Sequence, residues 1–196
     1  SMGSFMARRY LMTYASELTG AIICGTGYTP GAVLTAGKIC AGLIGKLKGE
    51  RHRSKFLQKL AFCSYNKRIA DKRTENDWLT KDIEIVDAYN QDKYCTFLFT
   101  VNGYQTLFDV LGFIQKKENI EKIPKNLPLY MIAGVEDPVG DYGKGVEKIF
   151  QEYKACGIHD LERKLYETDR HEILNELDRE KVYQDVKNWI LKHIQK

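Results

Sequence analysis

Three side chains of types suited to nucleophilic chemistry stand far apart in this sequence. Ser1 opens the chain in SMGSF, Asp137 lies in GVEDPVGD and His171 in ETDRHEIL. A serine hydroxyl is a poor nucleophile at neutral pH and needs an adjacent base. An imidazole can take that proton and return it near pH 7. A carboxylate on the other ring nitrogen fixes its tautomer and orientation. A serine at a helix start also turns a backbone N–H, here that of Met2, toward a developing oxyanion. Each residue has a plainer reading. A first-position serine is ordinarily only that, Asp137-Pro138 can simply start a turn, and His171 can cap the helix after it. Glu136 and Asp141 compete for the acid role.

The elements around these residues decide whether they can meet. Residues 2–17 read as a helix, with apolar Met2, Phe5, Met6, Tyr10, Leu11 and Tyr14 at three- and four-residue steps and Arg8 and Arg9 on another face. Ala21 to Cys24 is a short apolar run closed by glycines, the pattern of a strand buried on both faces. Leu129 to Ala133 is a second such run, and LERKLYE (161–167) alternates as a third strand. Amphipathic helices are expected at 144–157 and 179–194. Between the first two strands no comparable run occurs, and helices are expected over 30–48, 53–62, 76–90, 103–117 and 118–122. This block of about a hundred residues exceeds any ordinary crossover and reads as an inserted subdomain.

Strands alternating with helices imply a parallel sheet with right-handed crossovers. Ligands gather beyond the carboxyl ends of such strands. Asp137 and His171 both lie just past a strand end, on one sheet edge. The chain order Ser1, Asp137, His171 is that of one known serine-hydrolase arrangement.

Composition narrows the field. Of 196 residues 43% are hydrophobic and 29% charged, a globular profile with a net charge of only +4. The basic run KLKGERHRSKFLQK (46–59) holds a single aromatic and no binding-fold signature, so it reads as a solvated helix face and no nucleic acid is expected. Five scattered cysteines without a C-x-x-C argue against a disulfide framework or zinc site and for a reducing, cytoplasmic setting. No metal or cofactor is expected. The most apolar stretch, 31–47, is short, glycine-rich and broken by Lys38, which argues against a membrane span.

S-M-G-S followed by a helix resembles the second half of the nucleophile elbow, G-H-S-M-G-S, of α/β-hydrolases. More narrowly it resembles the lysophospholipase and monoacylglycerol-lipase-like serine hydrolases. DPVGDYGKGV resembles their acid loop and DRHEILNE their histidine loop. NDWLTKD, Tyr89 and FTVNGY resemble the cap of bacterial members. The resemblance implies an α/β fold, the C-terminal part of an α/β-hydrolase with parallel strands and an inserted helical cap. Residues 1–28 would be core, 29–125 cap, and 126–196 core with the acid and histidine loops. It implies catalysis by Ser1, Asp137 and His171 with Met2 at the oxyanion hole. The substrate would be a lipid-like ester, of monoacylglycerol or lysophospholipid type, met at a membrane or micelle surface. Trp78, Phe97, Phe99, Tyr104 and Phe108 are candidates to line an acyl channel, with packing among cap helices as the rival for each.

The family also carries strands and a His-Gly segment ahead of the elbow. The chain is therefore expected to be part of a longer hydrolase, with the missing N-terminal half as its partner. The alternative is that Ser1-Met2 is a cloning remnant before an internal start. Other readings of function are an inactive fragment, a binding module built on the cap, or a thioesterase or peptidase of the same fold.

Overall fold

A computed structural model describes residues 1–194. Its frame is a parallel three-stranded sheet in the order β1 (Ala21–Cys24), β2 (Leu129–Gly134), β3 (Leu161–Tyr166). The central strand β2 is buried at every position. Because side chains alternate across a strand, its apolar run feeds two cores. Leu129, Met131 and Ala133 join Ile23 beneath helices α1 (Met2–Tyr14) and α7 (Lys144–Ala155). Tyr130 and Ile132 face the other way, against Val182 and Trp189 of α8 (Arg179–Ile194).

Between β1 and β2 run α2 (Gly31–Lys48), α3 (Lys55–Phe62), α4 (Ile83–Gln91), α5 (Val101–Ile114) and the single turn α6 (Lys117–Ile120). Among the described residues this block adds no strand to the sheet. Its one β-bridge, Arg53 to Thr100, is internal. Ala41, Leu57, Val101 and Tyr104 form a small core of their own. Leu111, Ile114, Ile120 and Ile123 pack instead in the core of the sheet, so α5 and α6 join the block to it.

Two local expectations change. The helix expected at 76–90 begins only at Ile83, because the Asp82 carboxylate accepts from Glu84 N and Ile85 N and sets the start there. Residues 76–82 stay non-helical, and their polar groups are used elsewhere. Arg8, expected on a polar face of α1, is fully buried. Its guanidinium donates to Tyr153 Oη (3.3 Å), Thr26 Oγ1 (3.2 Å), Gly27 O (3.1 Å) and Ile114 O (3.3 Å). It thereby ties α1 to the loop after β1, to α5 and to α7. A buried cation is tolerated when its donors are matched in this way.

Candidate active site

The carboxyl ends of all three strands open on one edge, and the residues with chemistry collect there. β2 ends at Gly134 and delivers Asp137 three residues on. β3 ends at Tyr166 and delivers His171 five residues on. Asp137 is fully buried and His171 is 3% exposed. His171 Nδ1 lies 2.9 Å from Asp137 Oδ1. The contact is close but does not have the geometry of a hydrogen bond, as is common before substrate tightens such a pair. Asp137 Oδ1 also accepts from Val139 N at 2.8 Å, which holds the carboxylate in its loop. His171 Nε2 is buried and bonds to none of the described residues. The rival acids Glu136 and Asp141 are both exposed, and neither forms an ion pair with the imidazole.

Ser1 caps the start of α1, and the turn after β1 brings it to the histidine. Ser1 N lies 3.1 Å from Cys24 O and 2.8 Å from Gly25 O. Its carbonyl accepts from Ser4 N at 2.8 Å and Ser4 Oγ at 2.6 Å. Gly25 takes a positive φ of 59°, and a side chain there would meet His171 Cε1 and Ser1 N, each at 3.1 Å. The bare glycine thus lets serine and imidazole share one side of the turn. Met2 is the first residue of α1, so its N–H has no intrahelical acceptor and points out of the helix start.

Of the expected substrate contacts, Trp78 is at the site: its ring centroid lies 5.0 Å from that of His171. Phe97, Phe99, Tyr104 and Phe108 form a run of their own, with successive centroids 5.5, 5.7 and 6.2 Å apart. Tyr104 is buried in the small core of the helical block, whereas Phe97 is exposed.

Sequence reasoning missed Tyr65 and Cys24. Tyr65 packs edge-on against Trp78 at 4.8 Å. Burial, helped by the Asp137 charge, pushes its hydroxyl up to about 12, so it stays a neutral donor. Burial likewise pushes the Cys24 thiol up to about 11, which leaves almost no thiolate at pH 7 and removes it as a rival nucleophile. Neither had a sequence signal beyond residue type. The described residues whose ligand atoms group closely enough for a metal are Asp160, Glu162 and His193. They belong to the start of β3 and the end of α8, the opposite end of the sheet from Asp137.

The pattern of the Hydrolase_4 family, serine aminopeptidase S33, matches residues 1–178. The chain belongs to this family. Its fold is that of the α/β hydrolases. Among solved structures, a thermostable carboxyl esterase from Bacillus coagulans in complex with glycerol is 28% identical, with a TM-score of 0.88 over 97% of this chain and 62% of that one. A lipase in an open form is 24% identical, with a TM-score of 0.85 over 98% of this chain and 63% of that one. A monoglyceride lipase variant from Saccharomyces cerevisiae, bound to a substrate analogue, is 23% identical, with a TM-score of 0.69 over 98% and 63%. The chain therefore spans less than two thirds of the length of these relatives. No curated protein matches it. Among the described residues no helix is long and apolar enough to cross a membrane.

Proposed function

We propose that this S33 hydrolase cleaves carboxylic esters of lipid-like substrates, of monoacylglycerol or lysophospholipid type, through an acyl-enzyme on Ser1. The observation that carries the reading is the buried imidazole of His171. One ring nitrogen lies against Asp137, and the other is unengaged, with Ser1 beside the ring. Ser1 Oγ attacks the ester carbonyl carbon while its proton passes to His171 Nε2, and the carbonyl π pair moves onto oxygen. The Met2 N–H faces that oxyanion. Asp137 stabilises the imidazolium. Collapse expels the alcohol, which takes the proton from Nε2, and water repeats the sequence to release the acid. Trp78 supplies an apolar wall beside the base, suited to an acyl chain or glycerol backbone. Residues 29–125 act as the cap over the site. The esterase and monoglyceride-lipase relatives support an ester over other carbonyl substrates.

The test is labelling and turnover together. A fluorophosphonate should add to Ser1, seen by peptide mass spectrometry. Ser1→Ala should lose both the adduct and hydrolysis of short p-nitrophenyl esters by several orders of magnitude, with unchanged unfolding. Undiminished turnover in Ser1→Ala removes Ser1 from the mechanism. Faster cleavage of aminoacyl p-nitroanilides than of esters would assign a peptidase instead.

A further inference from the structure

Residues 77–82 are neither helix nor strand, yet they are pinned along their length to the histidine loop. His171 N donates to Trp78 O (3.4 Å) and Glu172 N to Leu79 O (2.7 Å). Arg170 Nη1 donates to Asp77 O (2.8 Å) and Thr80 O (3.2 Å). Glu176, fully buried, accepts from Lys81 N at 3.2 and 3.1 Å and from Arg170 N at 2.9 Å. Thr80 Oγ1 donates to Asn175 O at 3.1 Å.

We propose that Glu176 and Arg170 are positioning residues that lock this strap onto the histidine loop, so that the Trp78 wall and the His171 base form one rigid piece. The inference rests on the ester-hydrolase reading for its kinetic consequence, but not for its structural one. A buried carboxylate is costly, and Glu176 recovers that cost by accepting backbone N–H groups from both segments at once. Its partners flank the functional side chains: Arg170 precedes His171, and Lys81 lies three residues after Trp78. Arg170 works in the opposite sense, with its donors on strap carbonyls. The two residues therefore clamp the seam with complementary polarity. With the clamp released, the His171 ring would lose the packing of Trp78, and its alignment toward Ser1 would be free to vary.

The test uses Glu176→Gln, Glu176→Asp and Arg170→Lys. In a Trp189→Phe background, Trp78 is the remaining tryptophan, so acrylamide quenching reads the strap directly. Glu176→Gln should raise the quenching of Trp78 several-fold and lower kcat for a short p-nitrophenyl ester at least tenfold, with KM within about twofold. Glu176→Asp, which keeps the charge, should recover part of both. If Glu176→Gln fails to fold, Arg170→Lys carries the same expectations, because a flexible ammonium replaces the rigid planar guanidinium that aims Nη1 at both strap carbonyls. A folded Glu176→Gln with wild-type shielding of Trp78 overturns the proposal, as does a kcat loss no larger than its unfolded fraction. If the unsubstituted protein turns over no ester, the functional reading fails while the quenching still decides the clamp.

Discussion

Gly134→Ala should break the site without touching a reacting group. Gly134 is the last residue of β2 and pairs with Tyr166 at the end of β3. A Cβ built there meets the Asp169 carbonyl carbon at 2.5 Å, and the carbonyl oxygens of Asp169 and Arg170 closer still. Non-bonded carbon atoms normally sit about 3.5–4.0 Å apart, so the opposing backbone must retreat by about 1 Å. That backbone leads directly into His171, and it also accepts from Glu136 N at 2.9 Å, next to Asp137. The added methyl therefore pushes the histidine loop off the acid loop. Overpacking costs about 1–3 kcal/mol, and the upper end applies because the obstacle is main chain rather than a flexible side chain. A misplacement of about 1 Å in a catalytic group costs about a hundredfold in rate. Urea unfolding and ester kcat measure the two effects. Gly31→Ala is the control, since nothing lies within 4 Å of its added Cβ; it should leave both unchanged or slightly raise stability. A Gly134→Ala protein with the parent's midpoint and kcat would refute the reasoning.

Asp169→Asn should stabilise the protein at neutral pH. The Asp169 carboxylate is buried and lies near Asp178 and Glu176, with Lys81 Nζ at 3.8 Å as partial relief. Burial first, then those acidic neighbours, push it up to about 6. With its folded value above the unfolded one, its stabilising contribution is full below about pH 4 and lost as pH rises through 6. The asparagine variant should gain on the order of 2 kcal/mol at pH 8 by urea unfolding, with the gain vanishing toward pH 4; a variant less stable than the parent at pH 8 contradicts this. Arg8→Ala strips donors from four buried acceptors and should cost about 3 kcal/mol in the same assay. Arg8→Lys should recover only part, for lack of the fork, and a wild-type midpoint in Arg8→Ala would show that α1 is not anchored there.

Much of the frame was legible in the chain itself. The apolar runs at 21–24 and 129–133 read as strands buried on both faces; β2 is buried at every position, whereas β1, an outer strand of the three, buries only Ile23 and leaves Ala21, Ile22 and Cys24 half-buried. Helix 144–155 follows from its periodicity, since a one-sided apolar stripe has one way to be buried; helix 179–194 is also found, but of its apolar side only Val182 and Trp189 are buried, while Tyr183, Ile190 and Ile194 are exposed. Strand ends followed by Asp137 and His171 placed both on one edge. Other features depended on partners remote in sequence. Arg8 reads as a surface cation until carbonyls from the β1 loop and α5 and a hydroxyl from α7 surround it. The aromatics 97–108 look no different from Trp78 in the sequence, yet of these only Trp78 packs against the histidine ring, because residues 77–82 give their backbone groups to the histidine loop rather than to a helix. Periodicity reports which face of an element is apolar and is therefore written locally. Where a polar group finds its donor or acceptor depends on segments about ninety residues away, and only the folded chain brings those together.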